Sequence, residues 1–307
     1  MTRLSLLFAF SLLLNSCNDD TPKLNEENGV EPPNASGILY YQTDSKLDVA
    51  YANFKAVLAK NENIGIVKEI DHAKNAGMVQ MELPPTKIIL FGNPKLGTPL
   101  MQKNQLAGLD LPLKVLFYED QGSVFALYNS TPYLASRYDI GEVESLAKIS
   151  NALQNLVGTA MDAQPVQSTD QDVGLHKGVV SIKSSNDFET TYSKLKSSLE
   201  ANGNLSIMAE LDHQKNAQSV GMELRPTKVI MFGNPKLGTP LMQSARGIAL
   251  DLPQKMLIWQ GADGTVFISY NNPAFLKAKY QLEGNAEQFE QMTKALEALS
   301  KAAAEAE

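Results

Sequence analysis

Apolar residues recur along this chain in two alternating rhythms. Leu47, Tyr51, Phe54 and Leu58 fall at helical spacing and predict a helix from about Asp44. Far downstream, Phe188, Tyr192, Leu195 and Leu199 trace the same face of a second helix. Shorter β-rich runs lie between: GILYYQT (37–43), IGIVKEI (64–70) and TKIILFG (86–92). The last is nearly all apolar, which predicts a buried strand. KVLFYED and SVFALYN (114–129) predict a hairpin across Gly122, and a closing helix is expected over about 142–161.

The whole pattern then repeats. FGNPKLGTPLMQ runs from Phe91 to Gln102 and returns letter for letter from Phe232 to Gln243, an offset of 141 residues. The same offset pairs Gly37 with Gly178, Asp71-His72 with Asp212-His213, and Asp110-Leu111-Pro112 with Asp251-Leu252-Pro253. One residue is inserted near Gly261, after which Tyr138 matches Tyr280. Solenoid units span about 20–50 residues, so a repeat this long is a whole domain. The reading is a first repeat domain over 37–161, a polar linker over 162–176 and a second repeat domain over 177–307. Each copy reads β-α-β-β-β-β-α, with a short helix after the repeated turn. That is an α+β fold: two tandem copies, a mostly antiparallel sheet in each, and helices on one face. The other face needs water, a ligand or the partner domain, and two like domains can cover each other with pseudo-twofold symmetry.

The beginning of the chain changes where this pair is expected to work. Arg3 precedes an apolar run from Leu4 to Leu14, too short to span a bilayer and suited to a signal peptide over 1–16. The run ends LNSC, which resembles the lipobox of bacterial lipoproteins. That resemblance implies a diacylglyceryl group on the Cys17 thiol, cleavage before it, and acylation of the new N-terminus with a chain such as palmitate. Cys17 is the only cysteine, so no disulfide forms within one chain. Residues 17–36 are polar and proline-bearing, a flexible tether. The expected location is the cell envelope, outside the cytoplasm, held to the membrane through Cys17 (periplasmic, or at the outer membrane or surface). A net charge of −7 with no basic cluster argues against nucleic acid as a partner.

ELRPTKVIMFGNPKLGTPLM (223–242), with LDH upstream, DLP downstream and YNNPAFL at 270–276, resembles the domain-of-unknown-function 302 family. The resemblance covers both repeats, roughly 37–161 and 177–303. It implies a TATA-binding-protein-like α+β fold. It brings no established activity, and fold alone does not bring DNA binding.

Candidate chemistry centres on the repeated turn. Pro94 pushes Asn93 toward an extended shape. Gly97 is then expected at positive φ, with Thr98 as N-cap, Pro99 at the first helical position, and Leu100 and Met101 in the core. Free N–H groups there would make an anion site for a carboxylate or lipid headgroup, using Asn93, Lys95 and Thr98 and, in the second copy, Asn234, Lys236 and Thr239. Thr98 stands where a phosphate loop needs Lys, which disfavours nucleotide hydrolysis.

Asp71 is expected to cap a short turn with His72 on the surface. The sharper alternative is a metal or haem site that pairs His72 with Met101 and His213 with Met242. Glu82 and Glu223 have Lys87 and Lys228 as expected partners on neighbouring strands. Tyr118/Trp259 and Tyr128/Tyr270 are expected to line one face of the hairpin, or an apolar pocket. No catalytic constellation emerges and no cofactor is specified. The functional expectation is a non-enzymatic module that binds a small or lipidic ligand, or an envelope protein, in the groove of the curved sheet.

Overall fold

The computed structural model describes residues 32–168 and 170–306. The signal segment, Cys17 and most of the tether lie outside the described residues. The first repeat runs β1 (Ile38–Thr43), α1 (Leu47–Ala59), β2 (Gly65–Asp71), α2 (His72–Met78), β3 (Thr86–Gly92) and α3 (Pro94–Lys103). A 3-10 helix (Gln105–Leu109) follows, then β4 (Leu113–Asp120), β5 (Ser123–Asn129), α4 (Thr131–Tyr138) and α5 (Glu144–Met161). The linker carries a short strand, β6 (Val166–Gln167).

The second repeat follows the same order: β7 (Val179–Lys183), α6 (Phe188–Ala201), β8 (Ser206–Asp212), α7 (His213–Ser219), β9 (Thr227–Gly233) and α8 (Pro235–Ser244). Its 3-10 helix spans Arg246–Asp251, before β10 (Gln254–Gln260), β11 (Val266–Asn271), α9 (Pro273–Lys279) and α10 (Ala286–Ala304).

Every strand pairing is antiparallel, in the order β2-β3-β4-β5-β1-β6 and β7-β11-β10-β9-β8. This is the α+β architecture expected of two tandem copies. The linker differs from its expectation. Val166 and Gln167 pair with Tyr40 and Leu39, because the free edge of β1 accepts even a short extended segment.

Alternation along the strands decides which residues meet. In the first sheet Tyr41, Ile89, Phe91, Phe117 and Tyr128 face α1 and α5, and Phe54 of α1 meets Phe91 edge-on with centroids 5.4 Å apart. The opposite face, with Tyr40, Leu90, Leu116 and Phe125, joins one core with residues of the second repeat. The repeats therefore close each other's sheets, and the sheet groove expected to hold a ligand is filled by packing. Tyr118 and Tyr128, expected on one face, belong to these two different cores.

The contacts between repeats are reciprocal. The 3-10 helix of each copy lies on β4 or β10 of the other, α3 packs on α7, and α8 packs on α2. Gln102 Nε2 donates to the Glu223 carbonyl oxygen at 2.6 Å, and Gln243 Nε2 donates to that of Glu82 at 2.6 Å. Each repeat opens on a glycine at positive φ, Gly37 and Gly178, pressed against the ring of Tyr133 or Phe275 where no Cβ fits. Among the described residues no helix is long and apolar enough to cross a membrane.

Candidate functional site

The repeated turn is a helix start, placed earlier than its sequence suggests. Asn93 is extended (φ −125°, ψ 112°) and its side-chain oxygen accepts from Lys95 N at 2.9 Å. Its carbonyl accepts from Leu96 N and Gly97 N, both at 3.0 Å. Asn93 is thus the N-cap and Pro94 the first helical residue, with Pro99 carried inside α3 and no positive φ at Gly97. Asn and Pro at adjacent positions satisfy the cap rules as well as Thr98-Pro99 would, and the first pair in the chain direction prevails. Asn234 and Lys236 repeat the cap at 2.9 Å.

This arrangement occupies the N–H groups on which an anion site would depend. Lys95 and Lys236 are exposed, and neither lines a cavity. Asn93 and Thr98, and likewise Asn234 and Thr239, stand in the walls of two cavities beside the turns.

The first cavity has a volume of about 280 Å³. Phe91, Leu96 and Met101 come from the turn, Ile66 from β2, and Leu153 and Leu156 from α5. Its far wall belongs to the second repeat: Leu211, His213 and Asn216, at the junction of β8 and α7. The second cavity, about 70 Å³, is the counterpart with the repeats exchanged. There Phe232, Leu237 and Met242 face Ile70, His72 and Asn75 of the first repeat.

The sequence expectation paired His72 with Met101 and His213 with Met242. The fold brings His213 to the cavity of Met101, and His72 to that of Met242. Neither cavity is lined by Asp, Glu, Lys or Arg.

The two histidines are core residues rather than surface ones. Asp71 caps α2 as expected, accepting from Lys74 N at 2.9 Å, and Asp212 does the same for Lys215 N. The next residue begins a helix that turns back into the interface, so His72 and His213 are only 5% and 4% exposed. Burial pushes each imidazole down to about 4, against the opposing pull of the neighbouring aspartate. Both rings are neutral at ordinary pH. Each Nε2 is buried without a hydrogen-bond partner, as is Thr239 Oγ1. Buried polar atoms are nearly always paired, and these three are sealed within the packing rather than open to the cavities.

Other candidates resolve differently. Lys87 pairs with Asp48 at 2.7 Å and Lys228 with Glu189 at 2.9 Å, so neither is the partner of Glu82 or Glu223. These residues belong to a repeated surface cluster in which Tyr51 Oη donates to Glu69 and Tyr192 Oη to Glu210. His176 Nε2 lies 3.1 Å from Asn104 Nδ2 in the linker. Among the described residues no group of three or more His, Cys, Asp or Glu is placed to hold a metal ion.

A second buried cluster went unnoticed in the sequence. Asp110 and Asp251, which end the 3-10 segments, meet Lys114, Lys255, Arg137 and Lys279 at the centre of the interface. Arg137 Nη1 lies 2.9 Å from Asp110 Oδ2, Lys279 Nζ lies 2.8 Å from Asp251 Oδ2, and Lys114 Nζ crosses to Asp251 Oδ1 at 3.0 Å. Tyr138 Oη and Tyr280 Oη each donate to the aspartate of their own repeat at 2.7 Å. Lys255 Nζ donates to the Leu109 carbonyl oxygen.

Burial pushes both aspartates up, but the surrounding cations outweigh it and hold them below the usual carboxylate range. Burial and the Lys114 charge push Lys255 down. The available signal was the recurrence of ionisable residues at equivalent positions, Asp110/Asp251, Lys114/Lys255 and Arg137/Lys279.

Comparison with known proteins places this architecture in a family. The family model described as "Domain of unknown function DUF302" matches residues 40–156 and 180–299. The chain belongs to the DUF302 family, in tandem. It is similar to a protein named "Fluoride-specific ion channel FluC 1" from Brucella suis, 34% identical over 108 residues, which cover 35% of this chain and 42% of that one. A protein of the same name from Brucella abortus is also 34% identical over 108 residues, covering 35% of this chain and 40% of the relative. The chain thus spans less than half the length of these curated relatives. A solved structure, an uncharacterized conserved DUF302 protein from Bacillus stearothermophilus, is 18% identical with a TM-score of 0.38, covering 41% of this chain and 98% of its own.

Proposed function

We propose that this protein is a lipid-anchored component of a bacterial cell envelope that binds small, largely apolar molecules between its two repeats. One observation carries the reading. An apolar cavity of about 280 Å³ is walled by residues of both repeats, with no charged side chain among them. A small, largely apolar molecule that fills it would cover apolar surface of both repeats at once. The anchor rests on the lipobox-like LNSC at Cys17. Multiple acyl chains on one cysteine would hold stably at a membrane where a single chain is marginal. Fluoride conduction belongs to the channel relatives, and the shared segment gives no ground for assigning it here.

Each cavity also unites a neutral imidazole with a methionine. That donor pair favours a second reading, in which the cavities hold copper or haem iron. Native mass spectrometry of the full chain, purified from bacterial membranes, separates the two. The ligand reading expects an organic adduct that is lost when Leu153→Trp fills the first cavity. A metal or haem mass that disappears in His72→Ala/His213→Ala supports the second reading. A bare protein mass from every preparation counts against both. The anchor has its own test: labelling with a palmitate analogue should be abolished in Cys17→Ser, and persistent labelling would refute attachment there.

A further inference from the structure

We infer that a third cavity, between the end of the tether and the junction of the repeats, binds a small zwitterion. An α-amino acid fits it, with the carboxylate on Arg246 and the ammonium on Asp120. This site is separate from the two apolar cavities and does not rest on them.

The third cavity has a volume of about 490 Å³, within the range of small-ligand sites, and its walls are of a different character. The end of β4 contributes Tyr118 and Asp120, and the start of the 3-10 helix of the second repeat contributes Arg246. Glu283, exposed at the rim, comes from the loop between α9 and α10. Residues 32–35 form a further wall, tied in place by a reciprocal pair of hydrogen bonds between the Asn34 and Gln281 amides at 2.9 and 3.0 Å.

Three polar groups in these walls are left without protein partners. Arg246 is anchored on one side only: Nε donates to the Met242 carbonyl oxygen at 3.2 Å, and Nη1 makes long contacts to the Pro84 carbonyl oxygen and the Thr86 hydroxyl at 3.4 and 3.5 Å. Its Nη2 has no partner among the described residues. The half-buried Asp120 carboxylate likewise makes no ion pair or hydrogen bond among them. Tyr118 is only 4% exposed, yet its hydroxyl has no partner and, unlike that of Tyr128, is not sealed in the packing; it opens to the cavity. The three groups act on one another. Burial pulls Arg246 down while Asp120 and Tyr118 push it back, and burial together with Asp120 pushes Tyr118 up, so its hydroxyl stays protonated.

The equivalent junction with the repeats exchanged is closed by the protein itself. Gln105 stands in the place of Arg246, and its amide donates to Thr227 Oγ1 and accepts from Arg225 Nε, both at 2.9 Å. Trp259 stands in the place of Tyr118, and its Nε1 donates to Ser269 Oγ at 2.9 Å. Gly261 stands in the place of Asp120 and brings no charge. Groups that satisfy each other at one junction are replaced at the other by groups that need something from outside.

The charges select the class of molecule. A lone anion would gain Arg246 but face Asp120 and Glu283, and a lone cation would gain Asp120 but approach Arg246 unanswered. A molecule with both charges answers both. Charge-assisted hydrogen bonds are about twice as strong as neutral ones, which sets a zwitterion above a polyol. The Tyr118 hydroxyl can donate to the carboxylate, and Pro32, Pro33 and Leu282 offer apolar surface for a short aliphatic side chain.

Isothermal titration calorimetry of the full chain in lipid nanodiscs, against L-leucine, isocaproate, isoamylamine and glycerol, tests the assignment. Isocaproate and isoamylamine keep the leucine side chain and one charge each. Leucine should bind at least about tenfold more tightly than the other three, and Arg246→Gln and Asp120→Asn should each weaken it by a similar factor. Glutamine already occupies the equivalent position 105, which guards against misfolding of the first variant. Tyr118→Phe, which keeps the stacking on Phe125, should weaken leucine severalfold. Leu153→Trp, in the first apolar cavity, should leave leucine binding unchanged.

Isocaproate, isoamylamine or glycerol binding as tightly as leucine would overturn the zwitterion. Full leucine affinity in Arg246→Gln and Asp120→Asn, or its loss in Leu153→Trp, would overturn the location. No binding of any probe would overturn the site itself, and the apolar reading would stand or fall on its own adduct.

Discussion

Arg137 of the first repeat donates from Nη2 to the side-chain oxygen of Asn271 in the second at 2.8 Å. The mirror contact joins Lys279 Nζ to Asn129 Oδ1 at 2.6 Å. Each copy thus places a cation against the other's amide while pairing with its own aspartate. The two folds are joined at their centre by charges with no access to water, and such a joint tolerates truncation poorly.

Arg137→Met should cost about 3–5 kcal/mol, because it strands Asp110 and Asn271 in the interior. Lys255→Met should cost less, about 1–2 kcal/mol, since burial and Lys114 already oppose its charge and what is lost is the bond to the Leu109 carbonyl and a 3.9 Å approach to Asp110. Urea unfolding of the two variants checks the order. Equal losses would mean that the cluster is not organised around the two aspartates.

Stability should fall as the solution is acidified from near neutrality, before most carboxylates titrate. Unfolded histidines bind protons below about pH 6.5. The folded His72 and His213 resist until about 4. Between these values the unfolded state takes up protons first, so the fold loses up to about 1.4 kcal/mol per pH unit for each ring. The contribution is whole above the unfolded value and gone below the folded one. His213→Gln should nearly halve the slope between about pH 6.5 and pH 5. An unaltered slope would place the protonating group elsewhere.

Either repeat produced alone should expose the apolar sheet face that its partner now covers, and should bind a hydrophobic dye or self-associate. Mixing the two halves should restore a compact one-to-one species in size-exclusion chromatography. Soluble, monomeric halves with cooperative unfolding would refute the mutual covering.

Gly178→Ala would set a Cβ 2.1 Å from Phe275 Cγ on a backbone at φ +69°. Crowding and the left-handed backbone together should cost at least about 2 kcal/mol. Gly37→Ala, whose Cβ would lie 2.2 Å from Tyr133 Cδ2, should behave alike. Thermal unfolding reads both. Gly122→Ala, with open space and φ +86°, isolates the backbone part and should cost less.

Local periodicity carried most of the fold. TKIILFG (86–92) is β3 residue for residue, since an unbroken apolar run bounded by Thr-Lys and Asn-Pro has few other solutions. The hairpin across Gly122 and both closing helices are likewise where the pattern puts them. The cap was displaced because two Asx/Thr-Pro pairs compete within one segment and local rules rank them equally.

The cavities lay beyond local reading altogether. Their walls join residues more than a hundred positions apart, and the sequence offered only the nearer pairing, within each repeat. The charge cluster was hidden for a related reason. Lys114 and Lys255 each stand second in a strand that reads as surfacing there, and the partner repeat covers them.

Two separate copies of one domain, meeting as an ordinary symmetric pair, would be obliged to have two identical cavities. Any improvement in one would be imposed on the other. Joining the copies in a single chain removes that obligation, and Met208, Met292 and Gln254, in the walls of the second cavity where the first has Val67, Ile149 and Leu113, show where it has lapsed. The twelve shared residues keep the joint in register while the remaining walls are free to diverge, so one molecule can hold open two doors of different width.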